Sequence, residues 1–173
     1  MPIEMPEGVK YLELTPEKIQ TLWASYNGIR GLCDDYNKDR FDLFLARLQN
    51  KNNIWLETTD GKGVLYLTEV IPNLSASAHF IFWDQKLRGR ESFILDVLHW
   101  VMHAVNLQKI NAFIPQYARV AIHFAKKLGF QYEGMLRRAS YSNNKVFNMV
   151  ILGMIKEEVD DGWIRAIGDR SGA

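Results

Sequence analysis

The sequence predicts an α/β (α+β) fold in which a mixed, mostly antiparallel sheet carries helices on both faces. The first observation is the order of predicted elements along the 173 residues, β-α-α-β-β-β-α-β-α-β-β. Three consecutive strands in the middle favour antiparallel pairing. The second observation is that the later strands alternate with helices, which favours crossover connections in the same sheet. A third is the absence of repeats and low-complexity linkers, which favours one domain.

The N-terminal third is predicted to hold one strand and two helices. Residues 9–14 alternate between polar and apolar and form the first strand. Thr15 is a capping residue, Pro16 suits the first helical position, and Glu17 lies near the positive end of the helix. This helix reaches about residue 26. A second helix covers residues 39–49, where four apolar residues share one face.

The central and C-terminal elements follow from turn residues and apolar runs. Residues 54–58 and 64–71 are strands joined by a glycine hairpin, and residues 78–83 form an almost wholly apolar third strand. A helix over 91–107, a strand over 110–114 and a helix over 119–128 come next, with Gly129 as a left-handed cap. Residues 130–133 form a strand that residues 136–141 extend. Residues 146–155 form the last strand of the sheet. We assign residues 1–157 to the domain and 158–173 to a tail that forms a short docked helix.

Composition excludes several classes of protein. Hydrophobic content is 47% and aromatic content 12%, so the chain is not disordered. The net charge of +1 indicates neither nucleic acid nor an acidic partner. The single cysteine, Cys33, excludes an intrachain disulfide and is predicted to be structural. With no signal peptide and no membrane-spanning run, we expect a cytoplasmic protein.

A strand, a basic turn and a helix N-terminus come together at residues 78–98. The turn contains Lys86, Arg88, Gly89 and Arg90, and the helix starts at Glu91. The first N–H groups of a helix lack internal partners and bind anions. This segment is therefore a phosphate site, an ordinary solvated turn or a contact for the acidic surface of a partner, and three cations are too few to indicate nucleic acid.

Residues 121–130, AIHFAKKLGF, followed by QYEGMLRR, resemble the GNAT superfamily of N-acetyltransferases. The resemblance extends over residues 9–157. Residues 80–84 and 87–91 are also similar to small GNAT-like proteins of tailed phages. The resemblance implies acetyl-CoA between splayed fourth and fifth strands. The implied cofactor-binding residues are the backbone of Phe82 and Trp83 for pantetheine, and Lys86, Arg88, Gly89 and Arg90 for the diphosphate.

Three positions depart from what the GNAT family usually has. One lies in the diphosphate loop, whose family pattern is Arg/Gln-x-x-Gly-x-Gly/Ala, and two lie near the other parts of acetyl-CoA. Glu91 replaces the second glycine or alanine of the diphosphate loop, Ala118 replaces an Asn that contacts pantetheine, and Ala125 replaces a Tyr that protonates the leaving thiolate. A carboxylate at position 91 repels a diphosphate. The resemblance therefore implies a degenerate diphosphate-binding loop.

His79 and Glu69 are the candidate catalytic bases. His79 lies on the fourth strand and has an ordinary pKa suited to accepting an amine proton. Glu69 lies on the preceding strand. The competing interpretation is a half-buried strand histidine and a solvated carboxylate.

No metal site is predicted. His99 and His103 have the i, i+4 spacing of a metal pair, but with Asp96 they fall opposite the apolar stripe of their helix. We therefore expect two surface histidines.

Two hypotheses from different classes remain open. The first is an acetyl-CoA-dependent N-acetyltransferase that acts on an amine substrate. The second is an inactive GNAT-fold structural or assembly protein with a closed cleft, for example in a tailed phage virion, which binds protein partners. Neither hypothesis requires a membrane or nucleic acid.

Overall fold

The computed structural model describes residues 4–29 and 37–171, so Cys33 lies outside the described residues. Within this part of the chain, seven strands form one sheet in the order β1-β2-β3-β4-β5-β7-β6. Only β4 and β5 pair in parallel, and every other pair is antiparallel. The predicted mixed α/β fold is confirmed. The strands are β1 (Val9–Tyr11), β2 (Ile54–Thr58), β3 (Gly63–Ile71), β4 (Ser75–Phe82), β5 (Lys109–Pro115), β6 (Gln131–Ser142) and β7 (Lys145–Ile155). The helices are α1 (Pro16–Gly28), α2 (Phe41–Gln49), α3 (Glu91–Ala104), α4 (Arg119–Leu128) and α5 (Lys156–Ser171).

Local chemistry explains where the helices begin and end. Thr15 Oγ1 accepts the Lys18 N–H at 3.2 Å and caps α1. Gly129 has φ 107° and ends α4 in the left-handed conformation, as predicted. The start of α2 is two residues later than predicted, because Asp39 has φ 59° and therefore lies outside the helix. Its carboxylate instead accepts the Asn27 side-chain N–H at 2.8 Å.

Each face of the sheet buries its own hydrophobic cluster. The larger cluster lies under α3 and α4, where Ile94, Leu98 and Ile110 are almost fully buried. The smaller cluster lies under α1 and α2, where Trp55 stacks on Tyr66 with ring centroids 4.0 Å apart. At about 25 cal/mol per Å² of buried apolar surface, these clusters are the main source of stability. They hold β3 and β4 rigidly between two helical layers.

The C-terminal tail forms α5, which docks on α3 as predicted. Val159 is fully buried, and the Trp163 ring stacks on the His99 ring at 3.9 Å. The expectation of two surface histidines is therefore wrong for His99, which is buried because α5 covers that side of α3. His103 is half-buried there, with Nε2 2.9 Å from Asp160 Oδ1.

Asp96 lies in the same α3–α5 interface and accepts the Trp163 indole N–H at 3.0 Å. Lys156 Nζ lies 2.6 Å from His103 Nδ1. These contacts join the polar side chains of the α3–α5 interface to one another. In the described part of the chain, no helix is both long and apolar enough to cross a membrane.

Candidate functional site

A cleft opens where β4 and β5 separate. The two strands pair only at Ser75–Lys109, Ala76–Ile110 and Ser77–Asn111. Beyond these residues, β5 continues to pair with β7, whereas β4 stays paired with β3. The cleft between them is a cavity of about 1180 Å³. This separation creates a deep site in the middle of an otherwise continuous sheet.

The β4 edge of the cleft presents free backbone groups. Trp83 N–H donates to the Lys62 carbonyl at 2.8 Å, so Trp83 bonds to the β3 side of the sheet. Backbone groups alternate in direction along a strand, and therefore Ala78, Phe80 and the Phe82 N–H face the cleft. Ala78 and Phe80 line the cavity; Phe82 has the same backbone direction but is not among the lining residues, and the Trp83 N–H points to the other side. The Trp83 indole N–H donates to Gly61 O at 3.1 Å.

The basic turn lies between β4 and α3, and only part of it is available to a ligand. Gly89 has φ 84°, a conformation that favours glycine. Arg90 is engaged internally, because its Nη2 lies 2.9 Å from Asp84 Oδ2 and its guanidinium lies 3.7 Å above the Phe82 ring. Lys86 and Arg88 are exposed and have no ion-pair partner in the described ranges.

Glu91 occupies the N-terminus of α3 with its own carboxylate. The Gly89 N–H donates to Glu91 Oε2 at 2.7 Å, and Lys127 Nζ lies 3.2 Å from Oε1. A hydrogen bond from its own N–H, followed by those from Lys127 and Gly89, lowers the pKa of Glu91 despite partial desolvation. A fixed negative charge therefore lies in the position that an anionic ligand would occupy.

His79 lies on the α1–α2 side of the cleft and is neutral at pH 7. Its ring stacks on Tyr66 at 4.5 Å, and its Nε2 lies 3.1 Å from Thr68 Oγ1. Burial, reinforced by the charge of Arg47, lowers the pKa of His79 to about 4. The near-neutral titration that made His79 a candidate base is therefore lost in the folded protein.

Glu69 lies beside His79 in an irregular part of β3. The β3–β4 register shifts between Thr68 and Ile71, and Glu69 has φ 53° within this bulge. The exposed carboxylate accepts the Ser77 hydroxyl at 3.0 Å. Backbone strain of this kind clusters at functional sites, and here it directs a carboxylate into the cleft.

Residues 33–151 match the family model of the acetyltransferase (GNAT) domain. The chain belongs to the GNAT acetyltransferase family. The match covers more than half of the chain, including the splayed strands, the basic turn and α4. No curated protein matches this sequence significantly.

Solved structures of spermidine N-acetyltransferases share the GNAT fold of this chain. A chimera of SpeG from Vibrio cholerae and hSSAT has a TM-score of 0.73 and 16% identity, covering 90% of this chain and 99% of its own. A SpeG mutant from Vibrio cholerae has a TM-score of 0.69 and 17% identity; the match covers 87% of this chain and 96% of the SpeG chain. The dodecameric SpeG structure from Vibrio cholerae has a TM-score of 0.67 and 16% identity; the match covers 87% of this chain and 95% of the SpeG chain.

Two of the positions that depart from the GNAT pattern line the cleft. Ala118 precedes α4 and Ala125 lies within it, and both contribute to the cavity wall. Tyr117 also lines the cavity, and its ring meets Phe147 edge-on at 4.8 Å. These alanines leave the wall without the amide and phenol that the family pattern has there.

Arg47 and Ser140 are among the polar residues of the cavity that sequence reasoning missed. Arg47 on α2 lines the cleft, although its local sequence resembles any amphipathic helix. Ser140 lines it from β6, and its buried Oγ has no hydrogen-bond partner within the described ranges. No local motif marks either residue, because each reaches the site through long-range packing.

The low pKa of His79 predicts a pH-dependent stability. Because the unfolded chain binds a proton near pH 6.5 and the folded chain near pH 4, this effect destabilises the fold as pH falls through that window. We expect the wild type to lose up to about 3 kcal/mol of unfolding free energy relative to His79→Gln between pH 7 and pH 4.

Urea unfolding at several pH values between 4 and 7.5 measures the difference between the two proteins. His123→Gln removes an exposed histidine and controls for the loss of one imidazole. Parallel stability curves for wild type and His79→Gln would contradict the assignment of a buried, neutral His79.

Proposed function

We propose that the chain is an acetyl-CoA-dependent N-acetyltransferase. The observation that carries the proposal is the separation of β4 from β5, which opens a deep cavity beside a strand edge with free backbone groups. An inactive structural protein with a closed cleft has no need of this cavity. The virion role and the cytoplasmic location stay predictions.

The cleft residues fit the pantetheine arm of acetyl-CoA. Backbone groups of Ala78 and Phe80, with the Phe82 N–H, offer the hydrogen bonds of a missing neighbouring strand. Neither Trp83 nor Phe93 is among the described residues that line the cavity. Neither side chain therefore occupies the space that the pantetheine arm needs.

The diphosphate end is a degenerate form of the family loop. Lys86 and Arg88 supply exposed positive charge, and Gly89 supplies a turn without a side chain. Glu91 opposes an anion here, because its carboxylate already accepts the Gly89 N–H. Acetyl-CoA binding then requires this carboxylate to move aside, which weakens affinity.

Glu69 is the better proton acceptor of the two predicted bases. Acetyl transfer joins the amine nitrogen to the acetyl carbon and breaks the carbon–sulfur bond; the amine loses one proton, and the leaving CoA thiolate takes up one proton from solvent to become the free thiol. The Glu69 carboxylate is exposed in the cleft and open to the amine, whereas the half-buried His79 ring is stacked on Tyr66 and its Nε2 is engaged with Thr68 Oγ1. Glu69 therefore receives the proton, and His79 supports the wall through its stacking with Tyr66.

Release of free thiol from acetyl-CoA tests the proposal directly. The purified chain is mixed with acetyl-CoA and a panel of primary amines, and the thiol is detected colorimetrically while mass spectrometry detects the acetylated amine. Amine-dependent thiol release with matching acetylated product supports the function. Thiol release that is equal with and without amines, with no acetylated product, would contradict it.

A further inference from the structure

The cavity in which the amine acceptor would bind is lined by few charged side chains. Arg47 and Glu69 are the charged side chains among the described residues that line it, because His79 is neutral at pH 7. The remaining polar groups are amides and hydroxyls. A cation and an anion that line one cavity suit a ligand that carries both charges.

Arg47 is available to bind an anion. Its Nη1 donates to the Tyr26 hydroxyl at 3.3 Å, and no carboxylate in the described ranges forms an ion pair with it. The side chain is half-buried and extends from α2, far from the basic turn of the diphosphate. A guanidinium matches a carboxylate or phosphate through two parallel hydrogen bonds.

Arg47 also lies near the reaction centre. Its charge contributes to the lowered pKa of His79, so the guanidinium and the imidazole share one electrostatic environment. His79 in turn lies two residues from Ser77, whose hydroxyl donates to Glu69. Arg47 and Glu69 line one cavity, so a molecule whose anionic group binds Arg47 can reach the Glu69 carboxylate within it.

Ser140 is a second, independent sign of a polar ligand. The residue is only 4% exposed, and its Oγ has no hydrogen-bond partner in the part of the chain that the structure describes. It lines the same cavity from β6, next to the register shift between Leu136 and Ser140. Buried hydroxyls are nearly always hydrogen-bonded, so this one is free to bond to a polar group that enters the cavity.

We propose that the acceptor is a primary amine that also carries a carboxylate or phosphate group. Arg47 binds the anionic group, Ser140 Oγ hydrogen-bonds to the acceptor, and the Glu69 carboxylate faces the amine. This inference rests on the proposed N-acetyl transfer. A polyamine such as spermidine fits less well, because its further ammonium groups approach the Arg47 guanidinium.

Matched acceptor pairs test the inference. β-Alanine is compared with n-propylamine, O-phosphoethanolamine with ethanolamine, and spermidine is the polycation. We expect kcat/KM to be at least tenfold higher for each anionic amine than for its neutral partner. The larger of the two ratios identifies a carboxylate or a phosphate as the preferred anion.

Four variants separate the roles of the residues. Arg47→Gln should raise KM for the anionic amines about 10- to 100-fold with kcat nearly unchanged, and Arg47→Lys should recover part of this loss. Ser140→Ala should raise KM about three- to tenfold. Arg137→Gln removes an exposed arginine of β6 that is outside the cavity lining and should behave as the wild type.

A binding measurement without acetyl-CoA keeps this inference separate from the proposed function. Saturation-transfer NMR should detect β-alanine or O-phosphoethanolamine on the wild type and lose the signal with Arg47→Gln. Acetylation of spermidine or propylamine in preference to both anionic amines would overturn the inference and leave the N-acetyltransferase proposal intact. If the wild type binds neither β-alanine nor O-phosphoethanolamine, the inference is overturned, whether or not acetyl-CoA reacts.

Discussion

Glu69→Gln is expected to lower kcat about 100- to 1000-fold and to leave the Kd for acetyl-CoA within about twofold. A positioned general base contributes about 10²–10⁴ in rate, and the amide that replaces the carboxylate cannot accept the amine proton. The side chain is exposed, so its replacement should not unfold the protein. Steady-state kinetics with a reactive amine, combined with circular dichroism, measures both effects.

The matched control is Glu157→Gln, which replaces an exposed carboxylate of α5 outside the cavity lining. It should retain wild-type kinetics. A kcat for Glu69→Gln equal to that of the wild type, with a large loss in His79→Gln, would transfer the role of base to His79. Raising the pH should partly rescue Glu69→Gln, because more of the amine is then already deprotonated.

Glu91→Ala is expected to bind acetyl-CoA about tenfold more tightly and to be less stable. The substitution removes the carboxylate that accepts the Gly89 N–H and frees Lys127 to attract the diphosphate. A like-charge pair about 5 Å apart costs about 3 kcal/mol at an effective dielectric of 20, and solvent exposure reduces this toward the 1.4 kcal/mol of a tenfold change. Loss of an acidic residue from the first turn of α3 costs about 0.5–1 kcal/mol of unfolding free energy.

Glu91→Ala should raise the affinity for acetyl-CoA while it lowers stability, and this combination makes the prediction specific. Glu91→Gln keeps the size of the side chain and separates charge from bulk. Glu17→Ala removes an acidic residue from the first turn of α1 and should lower stability without changing acetyl-CoA affinity. Weaker acetyl-CoA binding to Glu91→Ala than to the wild type would show that Glu91 supports the cofactor site.

The elements of the fold were predictable because local signals mark them. Thr15 and Pro16 start α1, Gly129 ends α4, and the apolar run at 78–83 forms the end of β4. The parallel pairing of β4 with β5 follows from the helix between them, which must cross over the sheet.

The direction of individual side chains and backbone groups was harder to predict. Trp83 was assigned to the cofactor edge, yet strand alternation directs its N–H toward β3. His99 was expected on the surface, because helical periodicity shows the opposite side of α3 but cannot show that α5 covers it. Arg47 and Ser140 reach the cavity from α2 and β6, and only the assembled fold brings them together.

The central claim is that the cleft between β4 and β5 binds acetyl-CoA. Isothermal calorimetry should show one site with micromolar Kd for the wild type and for His123→Trp, which adds an indole to the exposed side of α4. Ala121→Trp adds the same indole to the cavity wall and should abolish binding while the protein stays folded. No heat from the wild type at millimolar acetyl-CoA, or unchanged binding by Ala121→Trp, would contradict the assignment of this cleft.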